Sequence, residues 1–235
     1  MCGRYVTVDA EKGRKAWGLR RPPRNYEINY DARPTNILPV LFQGDEGLEL
    51  EDYRWGLVPM WWKKPLKDLP STINATAEKI KAKNGMWWTP FLRKRCLVPA
   101  AGFYEWQLQP DGKTKVRHYI KLRDDQPMTF AGIWDEWKQL DGTPMRSFAI
   151  VTCPANPLMA KIDNNARNSE GPRMPVILTG ETAKAWTNPD SGLKPEERHK
   201  LLKPFAQEAM LAYPVVRDSK DKAELIKPIG EPVTA

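Results

Sequence analysis

The sequence predicts an α+β fold, a curved, barrel-like, mainly antiparallel β-sheet flanked by helices. Three observations predict it. Four β-rich stretches follow one another between residues 95 and 153: RCLVPAAGFYEWQLQ, VRHYIKL, MTFAGIWDEW and RSFAIVTC. Asp111-Gly112 and Asp141-Gly142 fall between them, and Asp-Gly is a favoured hairpin turn because both residues tolerate positive φ. Helical patterns lie before and after this block instead of alternating with its strands, the order of an α+β chain.

Taken in order, residues 9–19 (DAEKGRKAWGL) predict a short helix. LPVLFQ (38–43) and LELEDYRWGLV (48–58) read as strands, the second with alternating apolar positions from Leu48 and Leu50 onward. Residues 76–84 read as a helix stopped by Asn84-Gly85, and Trp87-Trp88, followed by a Thr-Pro break, as core. After the β block come a short strand at PVIL (175–178), helices at GETAKAWTN and PEERHKLLKPF, and a last strand near AMLAYPVV. No repeat, low-complexity tract or linker divides the chain, so residues 1–235 read as one domain.

Composition narrows the function classes. Ten Trp, seven Tyr and six Phe in a chain 41% hydrophobic argue for a folded protein, and 22 Pro for many turns. Three cysteines, Cys2, Cys96 and Cys153, none in a C-x-x-C pair, offer no disulfide framework and fit a reducing cytoplasm. Cys96 and Cys153 sit in apolar strands and read as buried small hydrophobes. Only two histidines, His118 and His199, stand far apart in unlike settings, so no metal site is expected, nor any cofactor. No apolar run approaches the roughly 20 residues of a membrane span. Thirty-seven Lys and Arg against 29 Asp and Glu give +8, bunched at Lys12–Arg24, Lys79–Arg95 and Lys113–Arg123. Such a field attracts polyanions, nucleic acid among them, although many basic proteins bind none.

Four places carry chemistry. Cys2 follows Met1, and with Met1 removed it bears an amine and a thiol on adjacent carbons. Such an aminothiol captures an aldehyde twice, first as an imine and then as a five-membered thiazolidine. Glu105, in GFYEW, shares a strand face with Phe103 and Gln107; among aromatics it would be desolvated, with its pKa raised toward neutral, whereas a solvent-facing position would leave it ordinary. Asn74 precedes a predicted helix, where capping competes with holding the N-terminal amine or a substrate hydroxyl. Trp61-Trp62 before Lys63-Lys64 has the composition that stacks unpaired bases, and equally that of a core pair beside solvated lysines.

Together these segments resemble the SRAP family, the SOS response-associated peptidases or abasic-site processing proteins. The resemblance spans essentially the whole chain: Met1-Cys2-Gly3-Arg4, RWGLVPMWW, INATAE, RCLVPAAGFYEW, FAGIWDEW, AIVTCPANPLMAKI, RMPVIL and ELIKPI occur in order. It implies loss of Met1 by self-processing and a covalent link from Cys2 to the ring-opened aldehyde of abasic sites in single-stranded DNA. It also implies a proton-transfer role for Glu105 and an orienting role for Asn74. DNA contacts would come from Arg4, Arg173, Trp61, Trp62 and a site near Thr152.

Two positions depart from the family pattern. Asp163 stands where a histidine is usual, in a longer loop up to Arg173, and an Asp donates a proton only with a pKa raised well above about 4. Capture is therefore expected to survive better than ring opening or release. Thr76 stands where an arginine is usual, which removes one phosphate contact. The leading expectation is a soluble, cytoplasmic, monomeric protein that crosslinks to abasic single-stranded DNA and meets no membrane. Its rivals are a non-covalent nucleic-acid-binding module and an N-terminal-cysteine peptidase.

Overall fold

A computed structural model describes residues 2–19, 27–44, 47–83, 85–139, 141–165 and 169–234. Met1, Asn84, part of the first basic stretch and residues 166–168 of the loop before Arg173 lie outside them. In chain order the elements are β1 (Tyr5–Val6), α1 (Ala10–Trp17), β2 (Ile37–Gly44), β3 (Gly47–Trp55), β4 (Asn74–Thr76), α2 (Ala77–Lys81), α3 (Gly85–Arg93) and β5 (Arg95–Ala100). There follow β6 (Gly102–Leu108), β7 (Lys115–Leu122), β8 (Met128–Lys138), β9 (Pro144–Pro154), α4 (Pro157–Ile162), β10 (Arg173–Pro175), β11 (Ile177–Leu178), α5 (Gly180–Thr187), α6 (Pro195–His199) and β12 (Met210–Pro214).

The larger sheet closes on itself. β9, β3, β2, β5 and β8 pair in turn, and β8 returns to β9, giving a five-stranded barrel. Its pairs are antiparallel except β3 with β9, and β4 adds to β9 in parallel as well. The smaller sheet, β1-β6-β7-β12, is wholly antiparallel. Barrel interior and helices share one apolar core that includes Tyr5, Trp55, Phe91, Phe103, Phe130 and Trp186, all fully buried. The outer face of the smaller sheet packs a second cluster of Val6, Tyr104, Tyr119, Tyr213, Val215 and Leu225. No helix among the described residues is long and apolar enough to cross a membrane.

Both Asp-Gly turns form as the sequence predicts. Asp111 accepts from the Lys113 and Thr114 amides, with Gly112 at φ +67°, and Asp141 accepts from the Thr143 amide. Asp9 caps α1 by accepting from Glu11 and Lys12. Four expectations need correction. Residues 95–109 form two strands in different sheets; the chain leaves the barrel at Ala101 to start β6. The helix expected over 76–84 is the shorter α2, and an unexpected helix, α3, runs through Thr89-Pro90, because burying Trp87 and Phe91 outweighs the ladder bond that Pro90 cannot make. The strand from 48 stops at Trp55, where Gly56 turns to φ +115°. α6 ends at His199, after which Lys200, Leu201 and Leu202 continue only as i→i−3 turns ahead of Pro204.

Candidate functional site

The N-terminal segment lies along β6. Tyr5 pairs with Phe103, and the Tyr104 amide donates to the Arg4 carbonyl at 3.0 Å, so residues 2–4 continue beside the Glu105 strand. On its other side stands β4. Asn74 does not cap α2; Thr76 does, its hydroxyl accepting from the Lys79 amide. Asn74 is instead a strand residue whose Nδ2 donates to the Cys2 carbonyl at 2.9 Å. Its Oδ1 is buried without a hydrogen-bond partner. Residue 2 is thus held between an asparagine 72 positions away and a glutamate on the next strand.

Burial sets the electrostatics. Cys2 is fully buried, and desolvation with the nearby Glu105 carboxyl pushes its thiol up to about 12. Glu105 is 7% exposed, and desolvation, with Asp163 adding to it, pushes its carboxyl up to about 7. The thiol stays protonated while the carboxyl exchanges protons near neutrality, as general acid–base work requires. Asp163 reaches this point because α4 docks on β6: Gln107 donates to the Lys161 carbonyl, and Asn164 exchanges hydrogen bonds with the Leu108 backbone. Cys2, Asn74, Glu105 and Asp163 therefore converge.

A second layer lies behind them along β9. The Asp163 carboxylate accepts from the Arg173 amide at 2.8 Å. The Arg173 guanidinium donates to the Thr152 hydroxyl and carbonyl and pairs with Glu78 at 2.8 Å. Thr152 is fully buried, and β4 sets Thr76 directly beside it. Thr76, Thr152 and Arg173 are therefore buried, with Thr152 and Arg173 bonded to each other in this structure.

Arg4 and the tryptophan pair stand apart from this cluster. Arg4 reaches Asp31, which it shares with Arg33 and Arg117, so three guanidiniums surround one carboxylate. Trp61 is 54% exposed and Trp62 half-buried, on a loop fixed from β8: the Met60 amide donates to Asp135, and Trp137 Nε1 donates to the Trp62 carbonyl. A cleft of about 660 Å³, lined in part by Trp17, Leu122, Thr129 and Phe205, includes none of the expected site residues.

His118, weighed from the sequence only as a metal ligand, stands next to this cluster. It lies directly opposite Glu105 in the β6–β7 pair and is buried. The signal was present: with the Asp111-Gly112 turn centring the hairpin, residues equidistant from it pair, and 105 and 118 are equidistant. No group of three or more metal-ligating side chains occurs among the described residues.

Comparison with known proteins bears on this cluster. The sequence model of the family described as SOS response associated peptidase (SRAP) matches residues 1–221. The abasic site processing protein YoqW of Bacillus subtilis is 37% identical over 195 residues, covering 83% of this chain and 81% of its own. The abasic site processing protein HMCES of Gallus gallus is 30% identical over 245 residues, covering 87% and 70%. A crystal structure of a Bacteroides thetaiotaomicron protein superposes with TM-score 0.80 at 26% identity, covering 97% of this chain and 99% of that one. One from Bordetella bronchiseptica, at 21% identity and TM-score 0.75, covers 92% of this chain and all of its own, and shares the fold.

Proposed function

The chain belongs to the SOS response associated peptidase (SRAP) family, and from that premise we propose that it processes abasic sites in single-stranded DNA by covalent capture on Cys2. The observation that carries this reading is the clamp on residue 2, with Asn74 bonded to its carbonyl and Glu105 beside its thiol. A structural cysteine needs neither. Relatives 30–37% identical that are named abasic site processing proteins supply the substrate class.

Hydrolysis of the Met1–Cys2 peptide bond frees the Cys2 amine, with Glu105 carrying the proton that the departing nitrogen takes up. The amine, with an ordinary pKa of about 8, is about one-tenth neutral near pH 7, and that neutral form attacks the aldehyde carbon of the opened sugar. Loss of water leaves an imine, and the Cys2 S–H adds across it, sulfur to carbon and hydrogen to nitrogen. The sum is amine plus aldehyde plus thiol giving thiazolidine plus water. A thiol held up at about 12 favours this order, amine first and sulfur second. Asn74 Oδ1, buried and unpartnered, is suited to accept from the freed amine.

Intact-mass measurement and denaturing electrophoresis test the reading together. Wild type should lack Met1 and form an adduct with an abasic single-stranded oligonucleotide that survives denaturation. Glu105→Ala should keep Met1, and Cys2→Ala should form no adduct. An adduct that Cys2→Ala still forms, or none from wild type with a free terminus, rejects covalent capture.

A further inference from the structure

We propose that His118 is the proton partner of Glu105, relaying protons to and from its carboxyl during capture on Cys2. The proposal rests on the capture reading for its reaction, but its geometry stands apart. Glu105 and His118 are directly opposed residues of an antiparallel pair, so their side chains share a face of the sheet with Cβ atoms about 5 Å apart. That face turns toward the main core, alongside Phe103 and Ile120, and both residues are buried, at 7% and 3% exposure. His118 Nδ1 lies 3.2 Å from the Val116 carbonyl, an acceptor only. Nδ1 therefore carries hydrogen, which leaves Nε2 as the ring atom that takes up or returns a proton.

The chemistry has a use for a second group. Forming an imine moves both N–H protons of the amine to the departing oxygen, which leaves as water. One carboxylate carries one proton at a time. If Glu105 passes the first to His118 Nε2, it becomes carboxylate again and takes the second; the imidazolium then returns the stored proton through Glu105, and nothing is gained or lost overall. Burial lowers His118 from its ordinary 6.5 while raising Glu105 to about 7, so neither group holds its charge strongly against the other. Among the described residues few other ionisable groups face the pair. Cys2 and Asp163 face Glu105, Lys161 turns its ammonium to the Thr234 carbonyl, and β12 sets uncharged Pro214 opposite His118. Asp163, at the family's histidine position, already accepts from the Arg173 amide.

The test compares wild type with His118→Phe, which keeps an aromatic of similar size, and His118→Gln, which keeps a donor for Val116 but does not titrate. Single-turnover adduct formation on an abasic single-stranded oligonucleotide is followed from acid to alkaline pH. Both variants should be slower by about tenfold and lose the wild type's acid-side inflection, with the final yield retained. Recovery of wild-type rate and pH profile by His118→Gln, or an unchanged profile in His118→Phe, overturns the proposal. A second arm titrates the Glu105 carboxyl carbon by NMR. Its midpoint should move in both variants, and an unmoved midpoint overturns the pairing. If wild type forms no adduct, the capture reading fails, and the carboxyl titration still decides the pairing.

Discussion

At the scale of the residue, Glu105 sets activity against stability. Its carboxyl is raised from an ordinary 4.5 to about 7, so between those values the folded protein holds a proton that the unfolded chain has released. The stability this proton represents is complete below about 4.5 and lost as pH rises through about 7. The loss at alkaline pH amounts to roughly 3 kcal/mol at most. Glu105→Gln removes the ionisation while keeping the shape. It should melt above wild type at pH 8, converge with it in acid, and form no adduct. Thermal melts across pH check this, and parallel curves for the two proteins would refute the burial argument.

At the scale of the element, the site depends on how the chain turns out of the barrel. β5 belongs to the barrel and β6 to the smaller sheet, and Gly102 lies just after the turn. A Cβ there would lie 2.6 Å from the Ile120 carbonyl oxygen and against the Tyr119 ring, closer than packed atoms tolerate. Gly102→Ala should therefore cost about 3 kcal/mol, read as a lowered denaturant midpoint, with slower adduct formation because Glu105 shifts with β6. A midpoint equal to wild type would show that β6 adapts freely. This turn also marks what the sequence made legible. Alternation and the Asp-Gly turns placed the strands of the hairpins, and GFYEW singled out Glu105 while leaving its burial open, because strand alternation does not say which face of a sheet is covered. Nothing local told that RCLVPA and GFYEWQL enter different sheets, since that depends on which partners β2 and β7 offer. The local pattern left Asn74 between a cap and a holder of the N-terminal amine because its contact with Cys2 spans 72 positions, and α3 was hidden by a proline that its buried aromatic face outweighs.

At the scale of the whole molecule, the +8 charge matters less than where its cations are committed. Arg173 is 4% exposed at its side chain and spends its donors on Glu78 and Thr152. Arg4 is 29% exposed and shares Asp31 with two other arginines, a cluster with surplus positive charge at the start of the segment that carries Cys2. A phosphate approaching Cys2 gains from the second arrangement and must break the first to use Arg173. Counterion release converts the difference into a measurement, because each phosphate neutralised on a single strand contributes about 0.7 to the slope of log affinity against log salt. Arg4→Gln should flatten that slope by about one such contribution for undamaged single-stranded DNA, while leaving the melting temperature nearly unchanged. Arg173→Gln should do the reverse, lowering the melting temperature through the stranded Glu78 and Thr152 partners while keeping the slope. Fluorescence anisotropy over a salt series, paired with melts, separates the two. If Arg173→Gln flattens the slope as Arg4→Gln does, then DNA draws Arg173 out of its ion pair, and the inward-facing layer behind the site opens when the strand binds.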